Sequence, residues 1–387
     1  MLTRIEFQNW RSLQSAVLDD LTPITVLIGA NSSGKTNIVD GLRFMRFLNG
    51  GEPSYRALSV IPYQWGGWES LRTAGAASDE STEIGLAFTL PGHDELLQLD
   101  VRFEFDPKSH EPRYYASLDG SDFNLGAVTV EPSRWSMESG GVWSGDKSAL
   151  KARADSWLGL RWQILGEFSA PGLRTSERTS GTDVFQLTET ASNLVLVLDH
   201  LRRTEPAAFA QLQEDAAWLM AHVAKVETER VDRELQVLLT DPVLGSASPT
   251  VSAGTSRLLA ILAAHYSLAA DRTPISEASL PGIFASDLPG LIVAEEADAS
   301  LNPGLLERFV GLLRTYTEGV PPHQFILTTH NPAFLNFFEP HEVRVVRRDA
   351  AGHTQIAPVP EDIVRIWGDA YRLGDIWTTN VFGGLPE

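Results

Sequence analysis

Three groups of residues in this chain have the types and order that phosphate chemistry requires. Gly29, Ala30, Asn31, Ser32, Ser33, Gly34, Lys35 and Thr36 satisfy the pattern G-x-x-x-x-G-K-[ST]. Its glycines let successive backbone N–H groups turn inward around phosphates. Lys35 offers a point charge to the β- and γ-phosphates and Thr36 a hydroxyl to Mg²⁺, while Asn37 opens the helix whose positive end points at the anion. Far downstream, an apolar run over residues 291–294 ends in the adjacent carboxylates Glu295 and Glu296. At a frayed strand end the two side chains can diverge, Glu295 toward the Mg²⁺ shell and Glu296 toward an attacking water that it orients and polarises. A third apolar run, residues 325–329, delivers His330 beside a helix start at Asn331 and Pro332, where an imidazole can touch a γ-phosphate. The set reads as binding and hydrolysis of a nucleoside triphosphate, with Lys35, Glu296 and His330 as the catalytic groups.

A second apolar run ends in a carboxylate, residues 194–199 with Asp199 last. Its spacing continues helically through Leu201, and Arg202 and Arg203 follow, so the run reads as a helix rather than as a metal-binding strand end.

The elements that must position these groups follow from periodicity. Residues 24–28 read as a buried strand, and the helix after the glycine-rich loop carries Ile38, Leu42 and Met45 on one face with Phe44, Phe47 and Leu48 on others. Residues 2–7 alternate, residues 9–12 interrupt, and a short strand near 15–18 completes an edge hairpin feeding the loop strand. Residues 50–82, rich in Gly, Pro and Ser, read as loop. Strand patterns at 83–90, 97–105 and 114–118 suggest an antiparallel meander inserted after the first helix. Residues 119–190 carry little pattern, and part of them is expected to be disordered. Leu194, Val195, Leu198 and Leu201, then Phe209, Leu212, Ala216 and Leu219, describe a short helical hairpin turning at 204–206. Strands near 224–228 and 234–239 and a helix over 257–268 come next. The last third alternates strand and helix, which implies a parallel sheet. The organisation expected is an N-terminal lobe with the loop and the meander over 1–190, the helical hairpin and connecting strands over 191–250, a C-terminal lobe over 251–348 and a tail over 349–387.

Composition bounds the function classes. The 387 residues, 43% of them hydrophobic, can build a sizeable core, and no apolar stretch reaches the roughly 18 residues of a membrane span. The start lacks a signal-peptide apolar run, so the expected location is cytoplasmic and no membrane partner is expected. Without cysteine there are no disulfides and no thiolate zinc sites. A net charge of -19 does not support indiscriminate nucleic-acid binding, although a local basic patch could still serve it.

The loop residues 29–36, Ser252 to Thr255 (Ser-Ala-Gly-Thr), Glu295 with Glu296, the stretch from Ala299 to Pro303, and Thr329 with His330 together resemble the ABC-type ATPases of the SMC/RecF-like branch. These are AAA-family ATPases related to the OLD proteins but without a TOPRIM domain. The opening residues 5–12, with Asn9, Trp10 and Arg11 after a strand, resemble that branch's start. The resemblance implies an α/β fold: a P-loop NTPase built as an ABC-ATPase head, with an antiparallel β lobe, a parallel core sheet flanked by helices, and a short helical insertion. It implies that Ser252 and Gly254 form the signature motif, whose helix contacts the γ-phosphate bound to the other subunit, that Asn302 lies in the D-loop, that Arg11 belongs to the nucleotide-binding set, and that Gln64 is the Q-loop glutamine at the metal. Glu295 stands where Asp is more usual, and the signature lacks the Gln of transporter ATPases.

What the resemblance implies for function is a homodimer or higher homo-oligomer that sandwiches ATP with Mg²⁺ and opens on hydrolysis. Such an engine drives or gates a separate effector, a nuclease or TOPRIM-like protein, in DNA repair or anti-phage defence; the stretch after His330 is too short for a TOPRIM domain of its own. The alternative is an ATP-gated scaffold that hydrolyses little and organises partner proteins. The apolar tail over residues 373–384 could dock such a partner or pack on its own domain.

Overall fold

The computed structural model describes residues 1–49, 65–76, 80–90, 93–105, 112–118, 121–131, 134–137, 157–166, 174–175, 186–232, 234–248, 251–271, 284–368 and 370–383. In chain order, β1 (Leu2–Trp10) and β2 (Leu13–Leu18) form a hairpin, β3 (Ile24–Ile28) runs into the glycine-rich loop, and α1 (Lys35–Asn49) leaves it. Next come β4 (Thr82–Leu90), β5 (His93–Phe105), β6 (Pro112–Leu118), β7 (Ser121–Glu131) and β8 (Arg134–Met137), then β9 (Trp162–Leu165) and β10 (Arg174–Thr175). The helical hairpin is α2 (Leu194–Thr204) and α3 (Pro206–Leu219), with Pro206 at the start of α3, where a missing N–H costs nothing. After β11 (Lys225–Val231), β12 (Glu234–Thr240) and β13 (Ala247–Ser248) comes α4 (Ala253–Ala270). The final part holds β14 (Gly290–Ala294), α5 (Leu306–Thr317), β15 (His323–Thr329), α6 (Pro332–Leu335), β16 (Val343–Arg348), β17 (Thr354–Pro358), α7 (Glu361–Trp367) and α8 (Leu373–Thr378).

Among the described residues the strands form three sheets. The antiparallel sheet has the order β2-β1-β4-β5-β6-β7-β8, so the first hairpin lies at the edge of this sheet and not of the one that carries the loop. The core sheet has the order β17-β16-β3-β15-β14-β9, parallel except for β17. Every residue of β3, β14 and β15 is buried, as expected of parallel strands covered on both faces. Alternation then divides each strand between two cores: Ile24, Val26 and Ile28 pack into one, Leu27 into the other, and β14 splits likewise into Ile292 with Ala294 and Leu291 with Val293. A smaller sheet joins β10, β12, β11 and β13 beside the helical hairpin.

Two regions differ from the sequence reading. Residues 119–190 hold β7 and β8 and, in β9, a wholly buried strand that pairs in parallel with β14. Beyond β17, residues 361–367 and 373–378 are helical. In the latter, Leu373, Ile376 and Trp377 are buried, and the Gly374 N–H donates to Asn336 Oδ1 at 2.7 Å. The tail therefore packs on its own lobe. Among the described residues no helix is long and apolar enough to cross a membrane.

Candidate nucleotide site

Parallel pairing brings the three chemical groups together. Ile28 is level with Thr329 and Ala294 with Leu327, so the loop after β3, the carboxylates after β14 and the histidine after β15 emerge at one edge of the sheet. They enclose a cavity of about 430 Å³ lined by residues 31–37, Glu295, Glu296, Thr328, His330 and Arg348. Asn31, Ser32, Ser33, Gly34, Lys35, Thr36 and Asn37 thus share one wall, with Gly29 and Ala30 behind it.

The loop's shape depends on backbone freedom and on close neighbours. Gly29 and Gly34 have φ of 153° and 111°, and Ser32 sits in the left-handed region at 62°. A Cβ at Gly29 would run into the Val346 carbonyl, and one at Gly34 into the Thr354 hydroxyl. That hydroxyl donates to Ser33 O at 2.9 Å and meets Ser12 Oγ, which accepts from Asn37 Nδ2 at 2.5 Å. The β1–β2 turn and β17, hydrogen-bonded to each other through Ser12 and Thr354, therefore brace the loop together. Lys35 Nζ donates to Gly29 O at 2.7 Å and Ala30 O at 2.9 Å, holding the ammonium inside the loop. Burial draws that ammonium down to about 8, while the negative charges of Glu296 and Glu295 oppose the shift.

On the opposite wall, Glu296 has a left-handed backbone with φ of 46°, and its N–H donates to Thr328 Oγ1 at 2.9 Å. Its carboxylate Oε1 stands 3.4 Å from His330 Nε2, and His330 Nδ1 is 3.1 Å from Gly29 O. Glu295 turns the other way, into a neighbouring cavity of about 410 Å³ that it shares with Thr36, Arg43, Glu189, Arg257 and Glu296. There its carboxylate pairs with Arg43, whose guanidinium also meets Asp40 Oδ1 at 2.6 Å and Glu189 Oε2 at 3.0 Å. Buried Asp298 accepts from Thr329 Oγ1 at 2.6 Å. Its carboxyl is raised by burial, against the hydrogen bonds it receives.

Thr36 and Glu295 fit Mg²⁺ by donor chemistry: both are hard oxygen donors on one cavity, and such an ion takes one or two protein ligands and fills the remainder of its shell with phosphate and water. Gln64 lies outside the described residues. Arg11 pairs with Asp40 Oδ2 at 2.6 Å and stacks near Trp10 and Trp65; it does not line the 430 Å³ cavity.

Ser252, Gly254 and Asn302 lie apart from these groups, on a third cavity of about 420 Å³ shared with His222, Thr255, Ser300 and Arg308. Ser252 caps α4, its hydroxyl accepting from the Thr255 N–H at 3.1 Å, and Asn302 caps the turn that leads to α5. A Cβ at Gly254 would overlap the Ser300 carbonyl oxygen, so only glycine lets the helix start approach that loop.

Sequence reasoning missed Arg43, Arg257, Asp298 and Arg348. Arg348 Nε donates to Ser32 O at 2.6 Å, and Arg257 Nη1 to the carbonyls of Glu295 and Glu296, both at 2.8 Å. The spacing of Asp40 and Arg43, one helical turn apart, was the available signal.

A family model for an AAA domain, whose description names the AbiEii toxin and type IV TA systems, matches residues 24–92 and 245–336. Those segments carry the glycine-rich loop, Ser252, Glu295, Glu296 and His330. Among solved structures, the Smc head bound to the C-winged helix domain of ScpA is 15% identical, covers 93% of this chain and 98% of its own, and superposes with a TM-score of 0.56. The Smc head domain with an extended coiled coil, bound to the C-terminal domain of ScpA derived from Pyrococcus furiosus, is 15% identical with 95% and 98% covered and a TM-score of 0.51. At such identity the likeness is one of fold. A search of curated proteins finds no match.

Proposed function

We propose, from the premise that this chain carries an AAA-type P-loop ATPase domain in the SMC-head fold, that it binds and hydrolyses ATP as a dimer closed around the nucleotide, and that this cycle drives or gates a separate effector protein. The observation that carries the reading is the convergence of Lys35, Glu296 and His330 on one cavity while Ser252 lies on another. A nucleotide held by one chain's loop would meet the second chain's Ser252 helix start, so closure completes the site.

In this reading the loop N–H groups and Lys35 hold the phosphates. Glu296 orients the water and takes its proton, and His330 hydrogen-bonds the γ-phosphate from a ring fixed on Gly29 O. Thr36 and Glu295 would hold Mg²⁺, which adds positive charge to the phosphate oxygens. The matched family's description, naming a toxin of a TA system, supports a defence setting; DNA repair is the other. The solved heads bound to ScpA support an effector on a separate chain.

Glu296→Gln tests this. ATP binding should persist, the closed dimer should accumulate, and turnover should fall by about 10²-fold or more. Undiminished hydrolysis overturns the assignment. A second reading, an ATP-gated scaffold with little hydrolysis, is favoured by the Arg43 pairing that occupies Glu295. Turnover measured with and without DNA separates the two.

A further inference from the structure

We infer that Arg257 couples the two nucleotide sites of one dimer, as a positioning residue that transmits engagement of the Ser252 helix to the backbone of Glu295 and Glu296; the inference rests on the dimer reading above. The geometry is a short lever. α4 begins at the cavity of Ser252, Gly254 and Asn302, which would face the partner's nucleotide. Five residues on, about 7 Å along the helix axis, Arg257 reaches the separate cavity of Thr36, Glu295 and Glu296, which serves the chain's own nucleotide.

Two contacts make the lever stiff. At its start, Gly254 lies against the Ser300 carbonyl with no room for even a Cβ, so the helix tip cannot advance without displacing the loop that follows Glu296. One turn later, Arg257 Nη1 donates to both carbonyls at the end of β14, each at 2.8 Å. The second of those carbonyls belongs to Glu296, whose left-handed φ of 46° is a conformation that persists in a non-glycine residue only when its surroundings impose it. Those surroundings are Thr328, which accepts the Glu296 N–H at its hydroxyl and the Ala297 N–H at its carbonyl, the Ala299 N–H, which donates to the Glu296 carbonyl at 2.8 Å, and Arg257 on the same carbonyl. The guanidinium therefore supplies part of what holds the catalytic carboxylate's backbone in place. Its helix starts at the surface the partner's γ-phosphate would touch. A phosphate that fixes α4 thereby favours the aligned Glu296 of the same chain, and each site reports its occupancy to the other.

The test uses the full chain and ATP. The wild type should hydrolyse with a Hill coefficient above 1. Arg257→Ala should lower kcat at least about tenfold with KM within about threefold, and bring the Hill coefficient to about 1. Arg257→Lys, which keeps a donor but not its reach, should fall between them and guards against a failure of Arg257→Ala to fold. A residue that only stabilised the fold would lower the active fraction and leave cooperativity unchanged. The second readout is the ATP-binding isotherm in the Glu296→Gln background, where cooperativity should survive and be abolished by adding Arg257→Ala or Arg257→Lys. A wild type that binds cooperatively without turnover overturns the hydrolysis reading alone, and the isotherm still decides the coupling. Non-cooperative binding by the parent chain, or cooperativity undiminished in both Arg257 variants, overturns the coupling.

Discussion

Asp199→Asn tests the distinction between the chain's two apolar runs that end in a carboxylate. Asp199 closes a run that imitates a metal-binding strand end, yet it lies inside α2, its side chain about one-tenth exposed. It accepts from Arg202 Nη2, Arg203 Nε and Thr228 Oγ1, all at 2.8 Å. The two arginines are 44% and 55% exposed, so solvent screening limits each pair to about 0.5 kcal/mol. The threonine bond goes to an oxygen that asparagine keeps, so it survives the substitution. Loss of the charge should therefore cost about 1 kcal/mol of stability and lower the melting temperature by about a degree, with ATP turnover unchanged. The pH dependence carries a sign. Burial raises this carboxyl, but the hydrogen bonds from Arg202, Thr228 and Arg203 outweigh it and hold the group below the usual carboxylate range. A group depressed in the folded state contributes fully above the unfolded value of about 3.9, and the contribution is lost as the pH falls through the folded value. The gap between wild type and Asp199→Asn should thus be constant near neutrality and close below about pH 4. Melting curves followed by tryptophan fluorescence across that range, beside an ATPase assay at neutral pH, measure both. A tenfold loss of turnover, or a stability gap that ignores pH, refutes the reasoning.

Two further substitutions probe the surroundings of the site. Arg43→Met removes the cation that Asp40 and Glu295 share at a largely buried position and should cost about 3 kcal/mol. Half-exposed Glu189 adds little. Combined with Glu295→Gln, part of that loss should return in a double-mutant cycle measured without nucleotide, and strict additivity would contradict the pairing. Trp377→Ala empties a side chain only 1% exposed, so it should destabilise the protein by about 3–5 kcal/mol; a cost under about 1 kcal/mol would instead favour the tail as a docking segment.

The residues legible in the sequence are those whose chemistry is local. The glycine-rich loop needs its glycines and lysine at fixed spacing. Glu295, Glu296 and His330 each follow a buried run, and a parallel sheet puts the ends of such runs at one edge. Residues whose role comes from distant partners were not legible. β9 has four residues, too few for a period, and owes its place to register with Ala294 and its neighbours. Arg43 meets Glu295 across 252 positions and Arg257 meets it across 38, and on a helix either arginine reads as an ordinary solvated charge. Arg11 shows the converse: its neighbours in sequence suggest the nucleotide, whereas its ion pair is with Asp40 of α1.

The separation of Ser252 from the loop bears on whether one chain could suffice. The 430 Å³ and 420 Å³ cavities share no lining residue, so in this conformation the glycine-rich loop and the start of α4 face different cavities. For one chain to close both halves on one nucleotide, α4 would have to move independently of Glu295 and Glu296. The Gly254 contact with Ser300 and the Arg257 bonds to both carbonyls oppose that movement, because they tie the helix tip to the strand end that must stay at the nucleotide. A second chain, as proposed above, would supply the missing surface without breaking either contact. On the proposed dimer mechanism, the bonds that would make Arg257 a messenger between sites would therefore also make a single chain a poor catalyst, and turnover per chain should rise with protein concentration until the dimer is saturated.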